Sequence, residues 1–398
     1  MKRIYLDHAA AAPISPKALR VVSDAMKKYT ANPSAIHREG REARVALESA
    51  RAEIATALDA RPDEIVFTSG ATEANNLAIL GVVREANARG ISNPRIIVST
   101  IEHPAVLETV RALEKEGLAK VDVLGVDAFG LIDTRELRKT IVPETVLVSI
   151  MYANNEIGTV QNITDIAKEV RHARKVNQSA YPFFHTDAAQ AANYLDIKVL
   201  RLGVDLMTLS STKTYGPRGV GALFVKRGLF MQPIMYGGKH ESGRRPGTES
   251  PALALGFATA LLEARQIATK ESKRVQKLRD LLAEKILKSV SGTSINGGAQ
   301  HSLPNILNVS IPDVESDALV LYLDAGGIAV SGQSACKSSE DGPSHVILAL
   351  GKVDGAQKGA IRFSLGRATK REDIVYVAKE FSRIASFLRN AGIQSDTV

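Results

Sequence analysis

Apolar residues return along this chain in two alternating rhythms, and the alternation predicts an architecture. In "EIVFTSGATEANNLAIL" a short apolar run passes through Gly70 into a stretch of helical period. The same order returns in "RIIVST" before "HPAVLETVRALEKEG" and in "TVLVSIMYA" before "ITDIAKEVRHARKV", and two further runs follow in "AYPFFHTDAAQ" and "VDLMTLSS". Short strands that are apolar on both faces, alternating with helices, predict an α/β fold with a mostly parallel central sheet and helices on both faces. Ligands of such sheets bind beyond the carboxyl ends of the strands. Ahead of them, "SPKALRVVSDAMKKY" places Ser15 as N-cap and Pro16 at the first helical position, and Leu19, Val22, Met26 and Tyr29 keep a helical period. From about Pro251 to Ser289 the pattern becomes one long helical stretch. After it, "NILNVSI", "SDALVLYLDAGG", "IAVSGQSAC", "IRFSLG" and "REDIVYVAKEFSRIASFLRN" predict a smaller α+β lobe. The expected division is an N-terminal segment 1–15 packing with the small lobe, a large lobe 16–260 and a small C-terminal lobe 261–398.

Composition narrows the class without naming a chemistry. With 398 residues, 44% hydrophobic and 24% charged, the chain can bury at least one large core. No stretch approaches the roughly 18 to 20 consecutive apolar residues of a membrane span. The start "MKRIYLDHAA" lacks an apolar signal region, so a cytoplasmic protein with no membrane partner is expected. The formal charge is +8, yet Lys and Arg are dispersed among Asp and Glu, so no direct nucleic-acid partner is expected. Cys336 is the one cysteine, which excludes an intrachain disulfide framework and a multi-thiolate metal site.

The loops at the predicted strand ends carry the chemistry. In "TSGATEAN", Gly70, Ala71 and Thr72 form a strand-to-helix turn where backbone N–H groups and a hydroxyl can face an anion at the positive end of a helix. A plain tight turn is the alternative. Asp187 in "FHTDAAQ" follows a buried run, with Gln190 three residues on, and a carboxylate there needs a cationic or strongly donating partner. A helix N-cap is the alternative. Lys213 in "SSTKTYGPRG" is either a surface lysine or a desolvated amine able to form a Schiff base with an aldehyde. Taken as a set, a phosphate cradle, a carboxylate for a ring nitrogen and a lysine describe pyridoxal phosphate, whose ring is an electron sink for amino-acid carbanions. Cys336 sits in "SGQSACKSSEDGPS", a small, polar stretch unlike a core strand, with Lys337 beside it to favour the thiolate.

These residues carry a resemblance. "YLDHAAAAP", "NPSAIHREG", "FTSGATEANNLAI", "EHPAVLETV", "NNEIGTVQNI", "HTDAAQ", "KTYGPRGVGAL", "GRRPGT", "SGQSAC" and "IRFSLGRAT" follow one another in the order found in the NifS- and IscS-type cysteine desulfurases. The chain resembles that family, pyridoxal phosphate-dependent fold type I enzymes of the class V aminotransferases. The resemblance implies conversion of L-cysteine to L-alanine, with sulfur held as a persulfide on Cys336. From there sulfur would pass to an iron–sulfur scaffold or another acceptor, for cluster assembly or tRNA thiolation. It further implies that Lys213 holds the cofactor and moves the substrate α-proton, Asp187 pairs with the ring nitrogen, and His103, a catalytic residue that takes part in proton transfer, stacks on the ring. Asn155 and Gln190 would bond its phenolic oxygen, while Ala71, Thr72, Ser210 and Thr212 hold the phosphate. Thr248 would reach the phosphate of the neighbouring subunit, implying a homodimer. Arg362 is the expected clamp for the substrate carboxylate, with Arg367 as its rival; Asn155 and Asn32 are also expected to contact substrate, and Asn32 and His37 lie in a segment that lines the entrance in relatives.

Two departures from the family pattern stand out. Thr212 occupies a position usually held by histidine; a hydroxyl can donate to phosphate but cannot titrate near neutrality. Gln333 replaces a usual glycine in the cysteine segment. The readings that compete with a cysteine desulfurase are a selenocysteine lyase or other class V aminotransferase, and a non-catalytic sulfur-relay partner.

Overall fold

The protein's structure, a computed structural model, describes residues 3–332, 344–351 and 359–395, the last five of these as backbone. The chain opens with strand β1 (Ile4–Tyr5) and helices α1 (Pro16–Lys28) and α2 (Arg38–Leu58). The predicted alternation follows as β2 (Ile65–Thr68), α3 (Ala71–Ala88), β3 (Arg95–Ser99), α4 (Pro104–Lys115), β4 (Lys120–Leu124), α5 (Thr134–Thr140) and β5 (Thr145–Ser149). It continues through α6 (Ile163–Asn177), β6 (Phe183–Asp187), α7 (Val199–Leu202), β7 (Leu206–Ser210) and β8 (Gly221–Val225) to the long helix α8 (Pro251–Ser289). Beyond it lie β9 (Ser294–Ile295), β10 (Ile306–Ser310), α9 (Ser316–Ala325), β11 (Ile328–Ala329), α10 (His345–Ala349), β12 (Ala360–Ser364) and α11 (Arg371–Ser395).

Strands β2 to β8 form one seven-stranded sheet in the order β2-β8-β7-β6-β5-β3-β4. Only β8 runs against its neighbours β2 and β7; all other pairs are parallel. The carboxyl ends of β2, β7, β6, β5 and β3 therefore share one edge. Alternate residues of a strand point to opposite faces. In β3, Ile97 joins the core on one face with Ile54, Phe184 and Phe257, whereas Ile96 and Val98 join the other with Ala78, Val82 and Val110. Burial on both faces is why these strands read as unbroken apolar runs. Edge strand β4 is half exposed and polar at alternate positions, so its pattern is weak.

Helix α1 starts as its sequence predicts: Ser15 Oγ accepts the Ala18 N–H at 3.1 Å and Pro16 opens the helix. Its inward face is formed by Ala18, Val22 and Ala25, while Leu19 and Met26 of the helical period are exposed. Small side chains let α1 lie close on α8; Gly256 of α8 sits so near Val22 that a Cβ there would meet its Cγ2 at 2.3 Å.

Helix α8 runs without a break through residue 260. Ala254, Phe257, Ala258 and Leu261 belong to a core under the large sheet, and Leu282 and Ile286 to a second core. That second core is built on the antiparallel sheet β12-β10-β9 with α9 and α11. The N-terminal segment joins it, since β1 pairs in parallel with β11.

Candidate active site

The shared sheet edge collects the loops. A cleft of about 520 Å³ there is lined by Ala71, Thr72, His103, Asn155, Asp187, Gln190, Ser210, Thr212, Lys213 and Arg362. The loop after β2 enters α3 through Gly70, which offers no side-chain cap, so the first N–H groups of an 18-residue helix open into the cleft. Gly221 makes room for this turn. A Cβ at that position would lie 2.8 Å from the Gly70 Cα and carbonyl carbon and from the Leu209 carbonyl oxygen.

Asp187 ends β6 as a buried carboxylate. Its Oδ2 accepts from Asn75 Nδ2 at 2.7 Å and its Oδ1 from the Ala189 N–H at 2.9 Å. Lys213 lies on a single 3₁₀ turn, Ser211–Thr214, directly after β7. Its Nζ donates to the carbonyl oxygen of Ala9 at 2.8 Å and to that of Ala10. Gln190 Nε2 donates to the same Ala9 oxygen at 2.9 Å, and Asn193 Nδ2 donates to the Lys213 backbone carbonyl at 2.7 Å. The N-terminal segment thus crosses the cleft and organises its lysine. The turn closes on Tyr215, whose left-handed backbone (φ 61°) supports a hydroxyl that accepts the Arg367 N–H at 3.0 Å.

His103 both caps α4 and lines the cleft: its Nδ1 accepts the Ala105 N–H at 3.0 Å, which assigns the ring proton to Nε2. Burial lowers its pKa, with the Asp187 charge opposing that shift. Next to it, Glu102 is fully buried; its Oε1 accepts from Ser99 Oγ at 2.6 Å and from the Met151 N–H at 2.8 Å, while Oε2 has no partner. Burial pushes this carboxyl up to about 8, so it carries a proton at neutral pH. His185 is equally buried between Ser149 Oγ (2.8 Å) and Thr208 Oγ1 (3.1 Å), and burial pushes it down to about 4.

Arg362 on β12 closes the other side. One of its terminal nitrogens donates to Asp7 Oδ1 at 2.7 Å and to Ser331 Oγ at 2.9 Å, and the other to the Asn155 carbonyl at 2.9 Å. Its Nε is buried without a hydrogen-bond partner among the described residues. The guanidinium is thus aimed before any ligand arrives. Arg367 does not line the cleft; it stacks on the Tyr215 ring at 4.0 Å. Thr248 lies in a separate recess of about 170 Å³ with Ser69, Gly219 and Arg245. Asn32 and His37 also stand apart within this chain: Asn32 Oδ1 accepts the Ser34 N–H at 2.8 Å, and His37 caps α2 by accepting the Gly40 N–H at 3.3 Å. Cys336, Lys337 and Gln333 lie outside the described residues.

Sequence reasoning passed over Asn75, Glu102 and Asp7, which bond to Asp187, flank His103 and hold Arg362. Asn75 and Glu102 each interrupt or abut an apolar pattern with a polar side chain, a signal that was available. Nothing in the sequence shows that Asp7 and Arg362, 355 residues apart, meet.

The family model for class V aminotransferases matches residues 4–377. A cysteine desulfurase IscS of Dictyoglomus turgidum is 41% identical over 98% of this chain and 96% of its own length. The mitochondrial cysteine desulfurase of Saccharomyces cerevisiae is 41% identical over 97% of this chain and 76% of its own length. Among solved structures, a NifS-like protein superposes with a TM-score of 0.89 at 33% identity, covering 97% of this chain and all of that one. The family model and relatedness over nearly the full length agree: the chain belongs to the cysteine desulfurases of the class V aminotransferase family.

Proposed function

We infer that this protein is a pyridoxal phosphate-dependent cysteine desulfurase, which converts L-cysteine to L-alanine and carries the sulfur as a persulfide on Cys336. The observation that supports it best is the convergence of Lys213, Asp187 and the open N-terminus of α3 on one cleft.

The donor set fits the cofactor. Asp187 is a buried carboxylate whose two hydrogen-bond partners are neutral, which suits a protonated ring nitrogen. The α3 N–H groups beside Thr72, Ser210 and Thr212 suit a dianionic phosphate. His103 would face the ring, and Asn155 and Gln190 its phenolic oxygen. When bound, the cofactor supplies an aldehyde for the amine and a ring that withdraws electrons from the substrate α-carbon.

The chain's own residues account for the remaining steps. Arg362, held by Asp7 and the Asn155 carbonyl and lining the cleft, binds the substrate carboxylate through its guanidinium. Lys213 Nζ takes the substrate α-proton, and the Ala9 and Ala10 carbonyl oxygens stabilise the ammonium that results. The Cys336 thiolate attacks the substrate sulfur: a sulfur–sulfur bond forms as the carbon–sulfur bond breaks. Thr212 serves as a phosphate donor without acid–base function, since a hydroxyl does not titrate near neutrality.

The reading extends to a homodimer in which Thr248 reaches the partner's phosphate, to a cytoplasmic setting, and to an iron–sulfur scaffold or another sulfur acceptor as recipient. Its recess beside Ser69 supports the role of Thr248. Among the described residues no helix is long and apolar enough to cross a membrane. Mass spectrometry after adding L-cysteine tests the whole: one extra sulfur atom is expected on Cys336, and none in Cys336→Ala. Full cysteine-dependent sulfide release by that variant would overturn the reading.

A further inference from the structure

Asn75 stands in the second turn of α3 on its inward face, where its neighbours Ala74, Leu77 and Ala78 are all fully buried and apolar. An asparagine there is unfavourable on two counts. It is a weak helix former, and its Oδ1 is buried with no hydrogen-bond partner among the described residues. What it gains is one contact, Nδ2 to Asp187 Oδ2 at 2.7 Å. The amide cannot be flipped, because that would set its oxygen against the carboxylate oxygen.

The surroundings give this contact its meaning. Among the described residues Asp187 Oδ1 accepts from the Ala189 N–H and Oδ2 from Asn75, so both of these donors are uncharged. Of the ionisable groups around it, Glu102 and His185 are tied to hydroxyls and backbone, while His103 and Lys213 line the same cleft, His103 accepting the Ala105 N–H and Lys213 donating to the Ala9 and Ala10 carbonyls. A guanidinium or ammonium in place of Asn75 would orient the carboxylate equally well but would neutralise it. An amide orients it and leaves its charge unspent.

We propose that Asn75 is a positioning residue for Asp187: its amide locks the carboxylate in one orientation and, being neutral, reserves the negative charge for the ring nitrogen of the cofactor. The assignment rests on the cofactor reading of the cleft. It concerns affinity and ring protonation, so it is testable without turnover.

Apoprotein is prepared from the wild type, Asn75→Ala, Asn75→Asp, Asp187→Asn and the double variant Asn75→Ala with Asp187→Asn. Each is titrated with pyridoxal phosphate, the visible absorbance of the bound cofactor is followed against pH, and apoprotein melting is recorded. Asn75→Ala is expected to weaken affinity about tenfold, the effect of one lost hydrogen bond to a charged acceptor, and to shift the pH midpoint of the band. Asn75→Asp keeps the shape and is expected to weaken binding further, because two adjacent carboxylates share one proton. In the Asp187→Asn background, Asn75→Ala is expected to change nothing more. Equal losses in both backgrounds, or unchanged affinity and midpoint in both single Asn75 variants, overturn the assignment. A wild type that takes up no cofactor overturns the functional reading itself, and a wild type that binds while the Asn75 variants match it overturns only this inference.

Discussion

Side chains at the cleft divide into those whose type announces their chemistry and those whose role depends on a partner. Lys213, Asp187 and Cys336 are of the first kind: an amine, a carboxylate and a lone thiol at strand or loop ends limit the chemistry before any contact is known. Glu102 is of the second kind. Its carboxyl is raised from the usual 4.5 to about 8 by burial, so the folded chain holds this proton more tightly than the unfolded chain. That contribution is complete below the unfolded value and is lost as pH rises through about 8, at about 1.4 kcal/mol per pH unit. His8 and His185, both lowered to about 4 by burial, act in the opposite sense below their unfolded value of 6.5. The Glu102 effect is therefore read between about pH 6.5 and 8. Glu102→Gln is expected to flatten the fall in melting temperature across that window, and an unchanged pH dependence would show that the carboxyl is already ionised at neutrality.

Elements were legible where burial is one-sided or complete, and obscure where it is partial. The apolar runs of β3, β5, β6 and β7 are buried on both faces and read directly as strands. β4 did not, because an edge strand shows water a polar row. The inward face of α1 does not follow its larger apolar residues for a related reason: close helix contact favours Ala18 and Ala25 over Leu19 and Met26. The turn that opens α3 depends on such closeness too. Gly221→Ala would drive a Cβ to 2.8 Å from backbone atoms of Gly70 and Leu209, none of which can swing aside. The expected outcome is a loss of about 1–3 kcal/mol of stability, measured by denaturant unfolding, together with weaker pyridoxal phosphate binding. Unfolding and binding equal to the wild type would mean that the turn adapts freely.

At the scale of the whole molecule, contacts between distant segments hold the site's scaffold. Arg51 of α2 forms a two-armed pair with Glu241 at 2.7 and 2.8 Å, and Glu241 Oε2 also accepts the Phe67 N–H of β2 at 2.8 Å. The Glu241 side chain is 1% exposed, so its charge has no recourse to water. Arg51→Ala is expected to destabilise the fold by about 3–5 kcal/mol, the penalty of leaving a buried charge unpaired. Arg51→Ala with Glu241→Gln should recover part of that loss. Chemical denaturation of the three proteins measures both effects; a single variant as stable as the wild type would refute the pairing energy. The N-terminal segment works over the same range, since Asp7 meets Arg362 while Ala9 and Ala10 meet Lys213.

The amino-acid sequence by itself determined the alternation of strands and helices, the parallel sheet, and the candidates for the reactive groups, because periodicity and side-chain chemistry are local properties. Tertiary structure alone decided which loops share an edge, that Arg362 and not Arg367 lines the cleft, and that Asn75 bonds Asp187 and Asp7 bonds Arg362. Those roles arise from contacts between residues far apart in the chain and from burial that shifts proton affinity. Neither is written in any short stretch of sequence.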